Sequence, residues 1–184
     1  MSDAAARLHE RVLVLRCQAG DESAFTELVD HYHARLHSYL RTLLGPADRV
    51  DDALQEVWFD VFRSVPQLAD PSAFSAWIYR IAHNRAMREL RKRRPHDVPM
   101  EGNEPFEETD DSVNISEVNA ARIHAALNQL APEHREVLLL RFMQDMSYED
   151  IASVTGCPVG TVRSRIYYAK CALRRALQCL PDND

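Results

Sequence analysis

Glycine is scarce in this sequence, and so are the loops that depend on it. Only five of the 184 residues are glycine, and no segment keeps the two-residue alternation of a half-buried strand. A glycine-rich phosphate loop, a serine nucleophile elbow and a credible pair of catalytic carboxylates are all missing. These absences exclude the common nucleotide-binding and hydrolytic sites, so we expect no enzymatic activity and no cofactor.

Long apolar runs and metal-binding cysteine spacings are missing too. No run approaches the roughly 20 apolar residues that span a bilayer, and the N-terminal segment lacks the apolar core of a signal peptide. The four cysteines form no CxxC pair or other zinc spacing. His33 and His37 have a workable metal spacing on a helix, but no separate cluster supplies the remaining ligands. We therefore expect a cytoplasmic protein without a metal site and without membrane insertion.

Helical periodicity covers most of the chain. Leu8, Val12 and Leu15 mark a first helix. A cap at Asp21 or Ser23 opens a second helix, whose apolar residues follow one stripe. The predicted fold class is therefore all-α.

Two further helices complete the N-terminal half. The third runs from about Val50 to Arg63, and its apolar stripe is predicted to be buried: Leu54, Val57, Trp58, Val61 and Phe62. The fourth opens at Asp70, a cap that is followed by proline at the first helical position. Its inward set is predicted to be Phe74, Trp77, Ile78, Ile81 and Ala82.

A break in composition separates two helical domains. Residues 95–111 hold three prolines, one glycine and seven acids but no lysine or arginine. Such a segment cannot bury a core, so we predict a flexible linker. Helical periodicity then resumes, and one helix carries the apolar set Val137, Leu138 and Phe142. The predicted organisation is two small helical domains, over residues 1–94 and 114–184, joined by an acidic linker over residues 95–113.

The C-terminal half contains a helix-turn-helix pattern. Ser147 is a suitable N-cap with Asp150 at the third helical position, and Gly156 lies in the turn. The next helix buries one apolar side: Val162, Ile166, Ala169 and Leu173. Its polar side presents Thr161, Arg163, Ser164, Arg165 and Tyr168, and residues 160–175 carry a charge of +5. Arginine and hydroxyl side chains on such a helix read base edges in a major groove, so we predict duplex DNA binding.

The fourth helix ends in a dense basic run. Seven cationic residues stand against only Glu89, a sum of +6: Arg80, Arg85, Arg88, Arg91, Lys92, Arg93 and Arg94. Trp77, Tyr79 and Asn84 lie just upstream or within it. Phosphate contacts and stacking surfaces are what single-stranded nucleic acid requires, although a solvated helix end is the alternative.

The third helix has an acidic face instead. Outside its apolar stripe lie Asp51, Asp52, Gln55, Glu56 and Asp60, with Phe59 beside them. An aromatic residue on a charged face favours a partner surface, and a solvated face is the alternative. Because the chain has a net charge of -6, we expect it to bind DNA poorly by itself and better when a partner covers the acids.

Four stretches of the sequence match the motifs of one known family. GDESAFTELVDHYHARLHSYL and DDALQEVWFDVF are similar to the start and the polymerase-binding helix of its region 2. FSAWIYRIAHNRAMRELRKRR is similar to the helix that melts and reads the −10 element. The segment over residues 127–177, with GTVRSR, is similar to region 4. The chain thus resembles a bacterial extracytoplasmic-function (group 4) sigma factor, the two-domain initiation subunit of RNA polymerase.

The resemblance implies a role for each of these surfaces. The clamp helices of the largest polymerase subunit would contact Asp52, Gln55, Glu56 and Phe59, and the polymerase flap would be a second partner surface. The loop over residues 64–72 would hold a flipped −10 base. The separated strand would contact Trp77, Tyr79, Arg80, Asn84, Arg85, Arg88 and Arg91. The −35 major groove would receive Thr161, Arg163, Ser164, Arg165 and Tyr168.

The resemblance also implies regulation from outside the chain. Family members are typically held inactive by an anti-sigma factor, and their linker would thread through polymerase channels that normally hold nucleic acid. One departure is Arg88, which stands four residues after Asn84, where the family usually has an acid. The alternative function is a free-standing helix-turn-helix regulator with a sensing N-terminal domain.

Overall fold

The computed structural model describes residues 3–45, 47–93 and 120–179, and the chain divides into two compact units, Met1–His96 and Asp97–Asp184. All regular structure in the described residues is helical, which confirms the predicted all-α fold. The predicted acidic linker over residues 95–113 lies outside the described residues, so its extent stays a prediction.

The first unit is a helical bundle. Its elements are α1 Asp3–Gln18, α2 Glu22–Leu44, α3 Ala47–Ser64 and α4 Phe74–Arg93, and two short 3-10 turns, Val65–Gln67 and Pro71–Ala73, lead from α3 to α4. Helix α2 contacts each of the other three helices. The largest fully buried side chains of this core are Tyr32, Tyr39, Tyr79, Phe74, Leu28, Leu36, Leu40 and Ile78.

Local signals set the ends of these helices. The Asp21 carboxylate accepts hydrogen bonds from the N–H groups of Ser23 and Ala24, as expected of an N-cap. Gly45 ends α2 at a φ of 81°, a value that glycine adopts without a steric penalty. Asp70 caps the turn before α4 by accepting the Ser72 N–H.

The predicted first helix is present, but the residues that marked it face solvent. Leu8, Val12 and Leu15 are 62%, 44% and 48% exposed, whereas Leu13, Val14 and Cys17 are buried. Both sets have helical spacing, because α1 is apolar on two sides. The choice between them depends on where α2 and the two 3-10 turns pack against α1.

The inward faces of α3 and α4 differ from the prediction at their edges. Leu54, Val57 and Val61 are buried as expected, but Trp58 is half-buried and Phe62 is 58% exposed. Those two rings pack edge-on against Phe25 of α2, with ring centroids 6.1 Å and 5.2 Å away. In α4, Phe74, Ile78 and Ala82 are buried as predicted, while Trp77 and Ile81 are half-buried.

The second unit contains α5 Ala120–Gln129, α6 Pro132–Leu138, α7 Tyr148–Thr155 and α8 Val159–Cys179. A π-helical turn, Leu139–Met143, continues α6. Helix α8 contacts α5, α6 and α7, and it buries the four residues predicted for its apolar side, together with Ala176.

The π-helical turn corrects one predicted core residue. Phe142 shares an α-helical face with Leu138 in the sequence pattern, yet its side chain is 55% exposed. The Gln144 N–H donates to the Leu139 carbonyl, five residues back, at 3.2 Å. A wider turn of this kind rotates the residues after it away from the α-helical register, so Phe142 and Met143 point outward.

Candidate nucleic-acid and partner interfaces

The helix-turn-helix is assembled by the local interactions that its sequence predicts. The Ser147 hydroxyl accepts the Asp150 N–H at 3.0 Å, and the Asp150 carboxylate accepts the Ser147 N–H at 3.3 Å. This reciprocal capping box fixes the start of α7. Gly156 has a φ of 70° and donates its N–H to Ala152, which ends α7 and turns the chain toward α8.

Helix α8 presents the predicted duplex-reading residues on the sides that it does not bury. Arg163 is exposed, and the other four are half-buried: Thr161, Ser164, Arg165 and Tyr168. The Ser164 hydroxyl donates to the Thr161 carbonyl at 3.0 Å, which leaves its oxygen free to accept a hydrogen bond. The Arg163 guanidinium lies 5.8 Å from the centre of the Tyr148 ring, a cation–π distance.

A polar cleft lies between the end of α3 and the middle of α4. It has a volume of about 430 Å³ and is lined by Asp60, Arg63, Ser64, Gln67, Ile81, Asn84, Arg85 and Arg88. The cleft thus joins three predicted strand-binding residues of α4 to two residues of the predicted base-holding loop. Arginines outnumber carboxylates among its lining residues, and amide and hydroxyl groups complete it, a combination that suits a nucleotide.

Arg85 occupies a special position in this cleft. Its guanidinium lies 2.9 Å from the Asp60 carboxylate and 3.2 Å from the Glu56 carboxylate, and its side chain is only 18% exposed. Glu56 was predicted to bind the polymerase and Arg85 to bind DNA. The structure joins these two residues in one ion-pair network that the sequence pattern did not reveal.

Tyr79 corrects one predicted site residue. Its side chain is fully buried, and its ring packs edge-on against Tyr39 with centroids 5.2 Å apart. This burial also raises the pKa of the phenol above its ordinary value. Tyr79 therefore supports α4 from within the core and is not accessible to a nucleic-acid strand. Trp77 is half-buried against Phe74.

The remaining predicted strand contacts, Arg80, Asn84, Arg88 and Arg91, are exposed. They lie along α4 on the sides that do not enter the core. Asn84 and Arg88 also line the cleft, so they are the residues of this set that the structure brings together with the loop.

The acidic face of α3 is exposed as predicted. Asp52, Gln55 and Glu56 are exposed, and Phe59 is 56% exposed with the Arg63 guanidinium 5.4 Å from its ring centre. A second cleft of about 320 Å³ borders this face, and its lining combines both charge signs: Arg49, Asp52, Ala53, Gln55, Glu56, Arg85, Glu89 and Lys92. A face with three polar side chains around one exposed aromatic ring is suited to a basic protein partner.

Two other features bear on function. Within residues 3–45, 47–93 and 120–179, no three His, Cys, Asp or Glu side chains lie close enough together to hold a metal ion. Each helix in the described part of the chain is too short or too polar to cross a membrane.

Comparison with known proteins relates both units to one family. Residues 28–96 match the family described as Sigma-70 region 2, and residues 120–180 match Sigma-70, region 4. The chain is 38% identical to the RNA polymerase sigma-H factor of Pseudomonas aeruginosa, over 93% of this chain and 95% of that protein. It is 34% identical to the ECF RNA polymerase sigma-E factor of Escherichia coli, over 95% of this chain and 97% of that protein.

Solved structures show the same fold. The structure of CnrH in complex with the cytosolic domain of CnrY has a TM-score of 0.68 and 25% identity, and the match covers 94% of this chain and 99% of CnrH. The sigma factor RpoE of Bartonella quintana, in complex with the anti-sigma factor NepR, has a TM-score of 0.65 and 24% identity. That match covers 85% of this chain and 98% of RpoE.

Proposed function

The chain belongs to the sigma-70 family of RNA polymerase sigma factors, as an ECF-type member, and we propose how its surfaces divide the work of promoter recognition. The protein directs promoter-specific transcription initiation as a subunit of the polymerase. We place it in group 4, with the domain limits predicted from the sequence. The observation that carries the proposal is the arrangement of α3 and α4, which puts an acidic partner face beside a basic, amide-lined cleft.

The acidic face of α3 is the proposed polymerase-binding surface. The family's partner there is a pair of basic clamp helices, which complement the charges of Asp52 and Glu56. Phe59 supplies the apolar anchor that a charged face needs for a stable contact. We assign the exposed pair Phe142 and Met143 of the second unit to the polymerase flap, because they are neighbouring large apolar side chains that are more than half exposed.

The cleft beside α4 is the proposed site for the separated −10 strand. Flipping a base out of the duplex costs a few kcal/mol of stacking, and a polar pocket can offset that cost. Ser64 and Gln67 of the loop, with Asn84 and Arg88 of α4, would hold the flipped base. Arg80 and Arg91 would contact phosphates, and the half-exposed ring of Trp77 would stack on the strand.

Helix α8 is the proposed reader of the −35 element. Its buried side fixes the helix on α6 and α7, so the opposite side can enter a major groove as a rigid unit. Arg163 and Arg165 would donate to guanine edges or phosphates, while Thr161, Ser164 and Tyr168 would contact bases or backbone.

An anti-sigma factor is the proposed regulator. Two solved structures with this fold contain a second protein. RpoE is bound to the anti-sigma factor NepR, and CnrH is bound to the cytosolic domain of CnrY. We propose that a protein of this kind covers the acidic face of α3 and so blocks polymerase binding. The site of action would be the cytoplasm, where the polymerase works, and the chemistry of RNA synthesis would belong to the polymerase alone.

Run-off transcription tests this proposal. Purified core polymerase is incubated with and without the protein on pooled genomic fragments from its host, beside a gel shift of the protein alone. We expect discrete new transcripts only with core and protein together, and no tight shift without core. A tight, specific shift by the protein alone, without any core-dependent transcript, would instead support the free-standing regulator.

A further inference from the structure

One side chain of helix α1, that of Gln18, forms hydrogen bonds with the loop between α3 and α4. The Gln18 amide nitrogen donates to the Leu68 carbonyl at 2.7 Å and to the Val65 carbonyl at 3.1 Å. The two acceptors are 50 and 47 residues away in sequence. An amide nitrogen has two hydrogens, so both donors of Gln18 are used on this loop.

The two acceptors flank Gln67, one of the two loop residues that line the cleft. Val65 is buried and Leu68 is half-buried, while Gln67 between them is exposed and lines the cleft. The Leu68 N–H also donates to the Val65 carbonyl at 3.1 Å, which closes the 3-10 turn. Because Gln18 holds both carbonyl groups, it also fixes the direction in which the Gln67 side chain leaves the backbone.

The other end of the loop also faces α1. Asp70 caps the second 3-10 turn, and the pKa of its carboxyl group is below the usual value, first because the Ser72 hydroxyl and N–H donate to it and to a smaller extent because Arg11 of α1 is near. Helix α1 contacts both 3-10 turns. Helix α1 thus supports both turns of the loop, and Gln18 makes two direct hydrogen bonds to the first of them.

We propose that Gln18 is a positioning residue for base recognition: it holds the loop over residues 65–68 in the shape that presents Gln67 to a flipped −10 base. This inference rests on the proposed function of the cleft. Gln18 does not itself line the cleft, so it would act through the loop. Loss of its two hydrogen bonds would let the 3-10 turn change its conformation. Discrimination between bases at the −10 position would then fall more than the overall affinity for DNA.

The test compares holoenzymes built from core polymerase and full-length variants. Gln18→Leu removes both donors at nearly constant size, Gln18→Lys keeps a donor at the end of a slightly longer chain, and Gln129→Leu changes an exposed glutamine of the second unit as a control. The probe is forked DNA with an exposed −10 strand, from a promoter found by run-off transcription. Each −10 position is synthesised with all four bases, and dissociation constants are measured by fluorescence anisotropy.

For each −10 position, the dissociation constant of the next-best base is divided by that of the best base. We expect this ratio to be about fivefold lower in Gln18→Leu than in the wild type at one −10 position, since a net hydrogen bond is worth about 1 kcal/mol. Gln18→Lys should restore most of the ratio, and Gln129→Leu should leave it unchanged. A ratio is insensitive to the folded fraction of the protein, so a purely structural role would not move it.

Two results would overturn the inference in different ways. If Gln18→Leu binds every probe more weakly but keeps the wild-type ratio at every position, Gln18 only stabilises the fold. If the wild-type holoenzyme does not distinguish bases at all, the proposed role of the cleft fails as well, while run-off transcription still reports sigma activity separately. Should Gln18→Leu fail to fold, Gln18→Asn makes the same comparison, because its shorter side chain withdraws the amide from both carbonyls.

Discussion

Helices α4 and α8 carry charge of the same sign, yet their arginines have different neighbours. In α8, no acidic residue occurs along the helix, and Arg163 lies over the neutral ring of Tyr148. In α4, Arg85 lies between two carboxylates of α3, Glu56 and Asp60. An arginine that lies over a neutral ring can offer its charge to DNA directly, whereas an arginine held between two carboxylates offers only part of it.

This difference suggests that the two DNA contacts depend on the polymerase to different degrees. Arg85 can turn toward a phosphate only by leaving its ion pairs, which lowers its net gain from binding DNA. A cationic partner on Glu56 would weaken those pairs and make Arg85 available. We therefore expect single-stranded binding by the first unit to need polymerase more than duplex binding by the second unit does.

The largest effect is expected when a charge on α3 is reversed. Glu56→Lys places a cation beside Arg85 and opposite the basic clamp helices, so we expect the dissociation constant for core polymerase to rise about 30-fold or more, the equivalent of at least 2 kcal/mol. Competition with labelled wild-type protein measures it. Asp30→Lys, an exposed reversal on α2, should change binding little. Equal effects of the two reversals would show that only net charge matters.

The duplex side of the comparison is tested by Arg163→Ala. We expect affinity for −35 duplex DNA to fall about tenfold, within the range of one lost specific arginine contact. Arg175→Ala is the matched control, because Arg175 is exposed near the other end of the same helix. The measurement is anisotropy titration of holoenzyme with −35 probes. A larger loss from Arg175→Ala would place the reading surface at the C-terminal half of α8 instead.

What the sequence could predict follows from the range of the interactions. The capping box of Ser147 and Asp150 and the turn at Gly156 involve neighbours within a few residues. Both features are present in the structure as predicted. The buried side of α8 follows from periodicity alone. The acidic face of α3 is visible in the same way, since solvent-facing positions repeat with the helix.

The features that sequence reasoning missed depend on distant contacts. Tyr79 adjoins Ile78 on α4, and only the packing of Tyr39 from α2 shows that both are buried. Leu8 and Leu13 are both apolar positions on α1, and the packing of α2 decides between them. The link between Arg85 and Asp60 spans 25 residues. The π-helical turn before Gln144 has no sequence signal that we can identify.

Arg85 and Arg88 of α4 are expected to contribute differently to binding of the −10 single strand. Arg88 is exposed in the cleft, so Arg88→Ala should weaken holoenzyme binding to a −10 single strand about fivefold and reduce the salt dependence by about one charge. Arg85→Ala should have a comparable effect on the holoenzyme but almost none on the free protein, because Glu56 and Asp60 hold it there. Anisotropy titrations with and without core at several salt concentrations make the distinction. Loss of free-protein binding in Arg85→Ala would show that the ion pairs do not restrain it.

The smallest expected effect concerns pH and the support of α8. Burial lowers the pKa of His134 below its ordinary value of 6.5, and the positive charge of Arg165 adds to this while Glu133 opposes it. Below pH 6.5 the unfolded chain therefore binds a proton that the folded chain excludes, so stability falls as the pH drops, until the folded-state pKa is passed. We expect His134→Gln to lose less stability than the wild type between about pH 7.5 and pH 5.5, whereas His33→Gln, at an exposed histidine of α2, should follow the wild type. Urea unfolding at both pH values measures this, and identical losses in all three proteins would mean that His134 is protonated equally in the folded and unfolded chains.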